Sequence, residues 1–322
     1  KDSIILSDNK GTVFNVDEFG QLNWKINIYK KIYKKIYKNL TFSINNNNIY
    51  VADNIGFIYC MDINTGELIW IKNHGVPLKS NIKIYNKKIF IINQDNRLLS
   101  FDALTGSQIW DLRSVPSFIK SQNYLGMAIS RNGDLVILTS TGDLLKVHAE
   151  SGNVYWVINT TASSYEQSTD FFISSDIVIN ENDIIFSTNS SIYSFNLDTG
   201  YLNWQVDVSS KSTPIVVSDN IFLVSDNGYF LNIDKKNGKI IWATDVFKIL
   251  KEKKRKTIVS GFLLASNKVY ITTLNGYLII SSGLSGKVES FKKIGDKILS
   301  SPVISNGALY ILTENSRILG FR

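Results

Sequence analysis

The chain has 322 residues and a net charge of +7, with 44% hydrophobic and 12% aromatic residues. That apolar content is ample for a folded core and excludes a disordered chain, while the length exceeds what one core usually fills and calls for two domains or a modular repeat. No apolar run approaches the roughly 18 residues of a membrane-spanning helix, and a single cysteine, Cys60, excludes internal disulfides and a multi-thiolate metal site.

The first residues, KDSIILSDNKG, lack the charged start, long apolar stretch and small-residue cleavage site of a signal peptide, so any export signal is expected to have been removed already. The strand SIILSD opens the chain, and soon after it Gly20 stands four residues before Trp24. The same glycine-to-tryptophan spacing recurs at Trp70, Trp110, Trp156, Trp204 and Trp242, which completes the set of six tryptophans, at intervals of 46, 40, 46, 48 and 38 residues. That period falls in the range of four-stranded propeller blades.

The third unit shows the blade plainly, as SNIKIYNKK, IFIINQDN, RLLSFDALTG and SQIW, four short strands A to D broken by Asn, Asp and Gly turns. Strand B is found eight times along the chain: SIILSD, NIYVAD, KIFIIN, LVILTS, DIIFST, NIFLVS, KVYITT and ALYILT. Strands A and D are each found seven times, the last D being GKVESF, with Phe291 one residue beyond the tryptophan position. Residues 1–322 are therefore expected to form a single all-β domain, an eight-bladed β-propeller of four-stranded antiparallel blades. The first blade would lack its inner strand and the last its outer strand, and residues upstream of Lys1 would supply both and close the ring. In each repeat the glycine gives the C-to-D turn a positive φ, and the tryptophan on the outer strand covers the neighbouring blade. Burial of each indole is worth on the order of a few kcal/mol, which makes the tryptophans structural rather than an aromatic ligand box.

Three connections from strand D to the next strand A stand out, and such connections lie on one face of a propeller. The first, KINIYKKIYKKIYKNL (25–40), carries six lysines, among them Lys30, Lys31, Lys34, Lys35 and Lys38. The second, SVPSFIKSQNYLG (114–126), sets Phe118 and Ile119 beside Lys120. The third, KILKEKKRKT (248–257), includes Lys253, Lys254 and Arg255. The first and third together carry +11, leaving −4 for the remainder of the chain. A one-sided basic face follows, suited to acidic protein surfaces or anionic lipid and sensitive to salt. Tyrosine and isoleucine recur every three or four residues in the first connection, which suits a short amphipathic helix; an ordinary solvated loop is the alternative. No nucleic-acid reading module accompanies these runs.

Catalytic constellations are scarce. His74 and His148 fall in separate blades, and no metal-spaced pair, phosphate loop or nucleophile elbow is present. His148 occupies the strand-end position held by Asp62, Asp102 and Asp234 in other blades, which reads as a turn residue. Cys60, in FIYCMD, reads as a small buried side chain.

The repeat resembles that of quinoprotein-type propellers, without the Gly-His and Trp-Asp signatures of WD40 blades or the double glycine of kelch blades. Three stretches carry a closer likeness: NQDNRLLSFDALTGSQIW (93–110), SGFLLASNKVYITTLNGYLIISSGLSGKV (260–288) and the ending SSPVISNGALYILTENSRILGFR. Through them the chain resembles the BamB lipoproteins of the outer-membrane β-barrel assembly machinery, in their alphaproteobacterial form. The resemblance implies a non-catalytic periplasmic scaffold without cofactor or metal, monomeric outside its complex and docked on the POTRA domains of BamA. It also implies a lipidated cysteine upstream of Lys1. The family's contact loop corresponds to 114–126, with Phe118 and Ile119 as apolar anchors and Lys120 as the cation, although this loop is one residue short and lysine is a poorer bidentate donor than arginine. The family's second patch, an Asp-x-Asp, is answered here by Asp170 alone, with Phe172 at the second acidic position. Two other readings share the blade pattern. Quinone-dependent dehydrogenases are longer and often carry adjacent cysteines and acidic metal ligands, which one cysteine and no acidic cluster do not match. A ligand-sensing propeller would require a membrane segment upstream.

Overall fold

Runs of five or six β-branched and aromatic residues, separated by Asn, Asp and Gly, leave the backbone little choice but strands joined by tight turns. The computed structural model describes residues 3–113, 124–160, 172–250, 257–315 and 317–322. The third sheet shows how sequence sets geometry. Its strands Lys83–Tyr85, Lys88–Ile92, Arg97–Asp102 and Gln108–Arg113 lie side by side in chain order, all antiparallel. Asn86 and Lys87 make the first turn at positive φ, 45° and 59°, the conformation that a two-residue hairpin requires. In the second turn the Asn93 side chain accepts the backbone N–H groups of Asp95 and Arg97, both at 3.0 Å. In the third, Asp102 does the same for Leu104 at 3.0 Å and Thr105 at 2.8 Å, and Gly106 follows at φ +69°.

Among the described residues this unit repeats to give eight antiparallel sheets, six of four strands and two of three, which places the chain in the all-β, eight-bladed β-propeller class. The eight B strands read from the sequence all form. The three-stranded sheets are the first, Ser3–Ser7, Thr12–Asp17 and Leu22–Asn27, and the last, Val303–Ser305, Ala308–Leu312 and Ile318–Phe321. The chain divides into two compact units, Lys1–Phe172 and Ile173–Arg322, with four sheets in each. Among the described residues no helix is long and apolar enough to cross a membrane.

Each core lies between successive sheets rather than within one. In the first unit, Ala52, Ile58 and Cys60 of the second sheet pack against Ile89, Ile91, Leu99 and Phe101 of the third. In the second unit, Phe222, Val224 and Phe230 meet Phe262, Val269 and Ile271 of the following sheet in the same way. In the third sheet strands B and C are buried on both faces, whereas strand D is largely solvated.

The tryptophans bridge these layers. Trp24, Trp70, Trp110 and Trp204 each reach the C-to-D turn of the next sheet, where Nε1–H donates to the carbonyl oxygen of Ile63, Ala103, Ala149 and Lys235 at 3.0, 3.1, 3.2 and 2.8 Å. Trp242 lies against Gly286 of its following sheet. Trp156 is half-buried on the outer strand Val154–Asn159. The seventh outer strand differs, because register places Ser290 where the other strands carry tryptophan, and the neighbouring Phe291 stays exposed. Cys60 is fully buried, and burial pushes its thiol up to about 11.

Candidate interaction surface

In an antiparallel blade the B-to-C turns and the D-to-A connections share one end, and the other turns share the opposite end. At the first of these ends, in the first unit, residues 28–39 run from the first sheet to the second. Asn27 begins the connection by accepting the Tyr29 N–H on its side-chain oxygen at 3.0 Å. Tyr29 then turns inward, and its hydroxyl donates to Asp53 Oδ2 at 2.6 Å. Asp53 is buried, and its other oxygen accepts the N–H groups of Ile55, Gly56 and Phe57 at 2.9, 2.7 and 2.8 Å. Four donors on one carboxylate replace the water it has lost, the condition under which a buried charge is tolerated. Burial, reinforced by the Tyr59 and Asp53 charges, holds the Tyr29 hydroxyl protonated far above the usual tyrosine range.

Beyond this anchor the chain makes a single 3₁₀ turn, Lys31–Tyr33. The Tyr33 ring meets Phe57 edge-on at 5.4 Å. Lys38 closes the connection from the far side: its backbone N–H donates to Asn9 at 3.0 Å, its Nζ donates to the Tyr33 carbonyl, and the ammonium lies 4.9 Å from the centre of the Tyr29 ring. Asn54 fixes the last residues, accepting from Asn39 N–H at 2.8 Å and donating to the Tyr37 carbonyl at 3.0 Å. What remains outside is Lys30, Lys31, Lys34 and Lys35 together with Ile32, Ile36 and Tyr37.

One open choice is decided and one expectation corrected here. The recurrence IYKKIYKKIYK does not form an amphipathic helix; the 3₁₀ turn has no side-chain cap at Lys30, and the inward anchors Tyr29, Tyr33 and Lys38 draw the chain into a tight strap between sheets. Lys38 does not belong to the exposed basic face, because it is only 3% exposed and serves Tyr33 and Tyr29. The glycine-tryptophan spacing does not point to Asp53, which organises the strap. The signal was available: Asp-x-x-Gly at the end of strand B occurs at Asp8…Gly11 as well, where Asp8 accepts Lys10 and Thr12 N–H at 2.9 and 2.7 Å.

Phe118, Ile119, Lys120, Asp170, Lys253, Lys254 and Arg255 lie outside the described residues. His148 is the turn residue expected of it, its Nδ1 lying 3.0 Å from Ser151 Oγ within the C-to-D turn. His74 is 3.2 Å from Asn93 Nδ2, and burial, assisted by the Arg97 charge, lowers its pKa. Among the described residues no three His, Cys, Asp or Glu side chains group as a metal site. The opposite end of the second and third sheets carries Asp62 and Asp102, whose carboxyls are held low by hydrogen bonds, first from the Thr65 and Thr105 backbones.

A family model described as outer membrane protein assembly factor BamB matches residues 9–244. Outer membrane protein assembly factor BamB of Moranella endobia is 19% identical over 298 residues, covering 85% of this chain and 72% of that protein. The Yersinia pestis protein of the same name is 20% identical over 288 residues, covering 82% and 68%. The crystal structure of BamB from Moraxella catarrhalis superposes with a TM-score of 0.81 at 13% identity, over 99% of this chain and 93% of that one. That likeness is one of fold.

Proposed function

Because the chain belongs to the outer membrane protein assembly factor BamB family, we propose that it is a non-catalytic periplasmic scaffold that assists insertion of β-barrel proteins into the outer membrane. The observation that carries the reading is the family match over residues 9–244, joined to a fold whose cores are consumed in sheet-to-sheet packing and whose turns and connections are left to make contacts. Within this proposal the partner is BamA, engaged through its POTRA domains by the connection that holds Phe118, Ile119 and Lys120, with Asp170 as a second contact. Adjacent bulky apolar residues beside a cation are the composition of an interface anchor. A lipidated cysteine preceding Lys1 belongs to the same proposal and would hold the scaffold at the membrane.

The test is capture of detergent-solubilised BamA from the same organism by the immobilised protein. The wild type should retain BamA, Phe118→Asp should reduce capture by tenfold or more, on the order expected for burying a charge at an interface anchor, and Lys120→Glu should act in the same direction. Failure of the wild type to capture BamA would overturn the adaptor reading. Full capture by Phe118→Asp would move the contact to another loop.

A further inference from the structure

The strap at 28–39 leaves side chains in water that the fold does not use. Ile32 is 75% exposed, Tyr37 70% and Ile36 44%, while Tyr29 and Tyr33 of the same segment are turned inward and anchored. Lys30, Lys31, Lys34 and Lys35 are all exposed around them, and no acidic residue occurs between Lys25 and Asn39. The adjoining turn adds exposed Lys10, and the carboxylate there, Asp8, is occupied by the N–H groups of its own turn.

We propose that this strap is a contact for an anionic phospholipid surface, with Ile32, Ile36 and Tyr37 entering the boundary between headgroups and acyl chains and the four exposed lysines taking headgroup phosphates. Along the strap Lys34 and Lys35 set Ile32 apart from the pair Ile36 and Tyr37, and Lys30 and Lys31 precede it, so the exposed apolar side chains are broken up by cations rather than joined in one run. The same interleaving suits a bilayer boundary, where apolar side chains dip below the phosphates and lysines extend their stems to reach them. Tyrosine is at home at that depth. The strap is pre-fixed by Asp53, Lys38 and Asn54, so docking needs little further ordering of the chain. The proposal stands apart from the adaptor reading, because it requires no protein partner and uses none of the residues assigned to BamA.

The experiment is flotation of the purified chain with phosphatidylglycerol-rich vesicles and, in parallel, with phosphatidylcholine vesicles. Binding is expected to the first alone and should weaken as salt rises. Each lysine held near an anionic surface changes partition on the order of fivefold, so replacing Lys30, Lys31, Lys34 and Lys35 together by glutamine should lower it by about several hundredfold. The double variant Ile32→Ser, Tyr37→Ser keeps every charge and should also lose binding, by about tenfold or more. None of these residues anchors the strap, and unchanged tryptophan emission and thermal midpoint will show that the variants are folded. Equal binding to both vesicles, no binding to the anionic ones, or full binding by either variant would overturn the proposal. Salt-sensitive capture of BamA that depends on these lysines, without vesicle binding, would give the surface to a protein and overturn it equally.

Discussion

Gly106→Ala tests the central packing idea, because Gly106 is held in place by two independent demands. Its φ of +69° would cost alanine about 1–2 kcal/mol. A Cβ at this position would also stand 2.5 Å from Trp70 Cε3 and 2.8 Å from Cδ2, so the indole must withdraw by about 1 Å to restore ordinary contact. Withdrawal stretches the 3.1 Å bond from Trp70 Nε1 to Ala103, worth about 1 kcal/mol, and loosens packing in a core where Trp70 is nearly buried. The expected destabilisation is about 3–4 kcal/mol. Gly20 supplies the control: its φ is +84°, yet nothing lies within 4 Å of where its Cβ would be. Gly20→Ala should therefore cost only the conformational part, about 1–2 kcal/mol. Urea unfolding followed by far-ultraviolet circular dichroism measures both, and the cycle with Trp70→Ala separates the terms. In the Trp70→Ala background Gly106→Ala should fall to the cost seen at Gly20. If its cost is the same with and without the indole, the glycine is there for its backbone alone and the account of the repeat fails.

Two further expectations follow from buried groups. Tyr29→Phe removes one of four donors from Asp53 and should destabilise the protein by about 2 kcal/mol, as for other hydrogen bonds to buried charged groups. It should also admit trypsin to the strap at Lys34 or Lys35, while Tyr37→Phe, at an exposed ring, should change neither midpoint nor cleavage. Cys60, fully buried with its thiol pushed up to about 11, should resist an aromatic disulfide reagent at mildly alkaline pH in the native protein and react fully in urea. Rapid labelling of the native state would show that the layer between the second and third sheets opens.

The architecture was legible because it is written locally and repeatedly. Asx turns such as Asp62 with Asn64 and Thr65, or Asp102 with Leu104 and Thr105, need no distant partner, so the same few residues mark each strand end. Once the turns were fixed, the alternating apolar runs between them had to be strands. The pairing behind the glycine-tryptophan spacing was less open to inspection. Within one motif Gly106 and Trp110 are four residues apart, but the indole that presses on Gly106 is Trp70, from the preceding sheet. Each motif is thus half donor and half acceptor in two different contacts, a relation that spacing suggests only in outline.

The strap shows where local reading stops. Lys34, Lys35 and Lys38 look alike in sequence, and nothing in the residues themselves separates an exposed lysine from a buried one. The distinction is made by Asp53, at the end of the next sheet's strand B, which draws in Tyr29 and so sets the ring that Lys38 covers while its Nζ donates to the Tyr33 carbonyl. The same long-range contact prevents the helix that the three-and-four spacing favours, since a helix would turn Tyr29 and Lys38 away from their partners. Removing Lys38 from the basic face therefore does not weaken the case for that face. The interactions that bury this one lysine hold the other four, and the two isoleucines and tyrosine among them, in a fixed outward set.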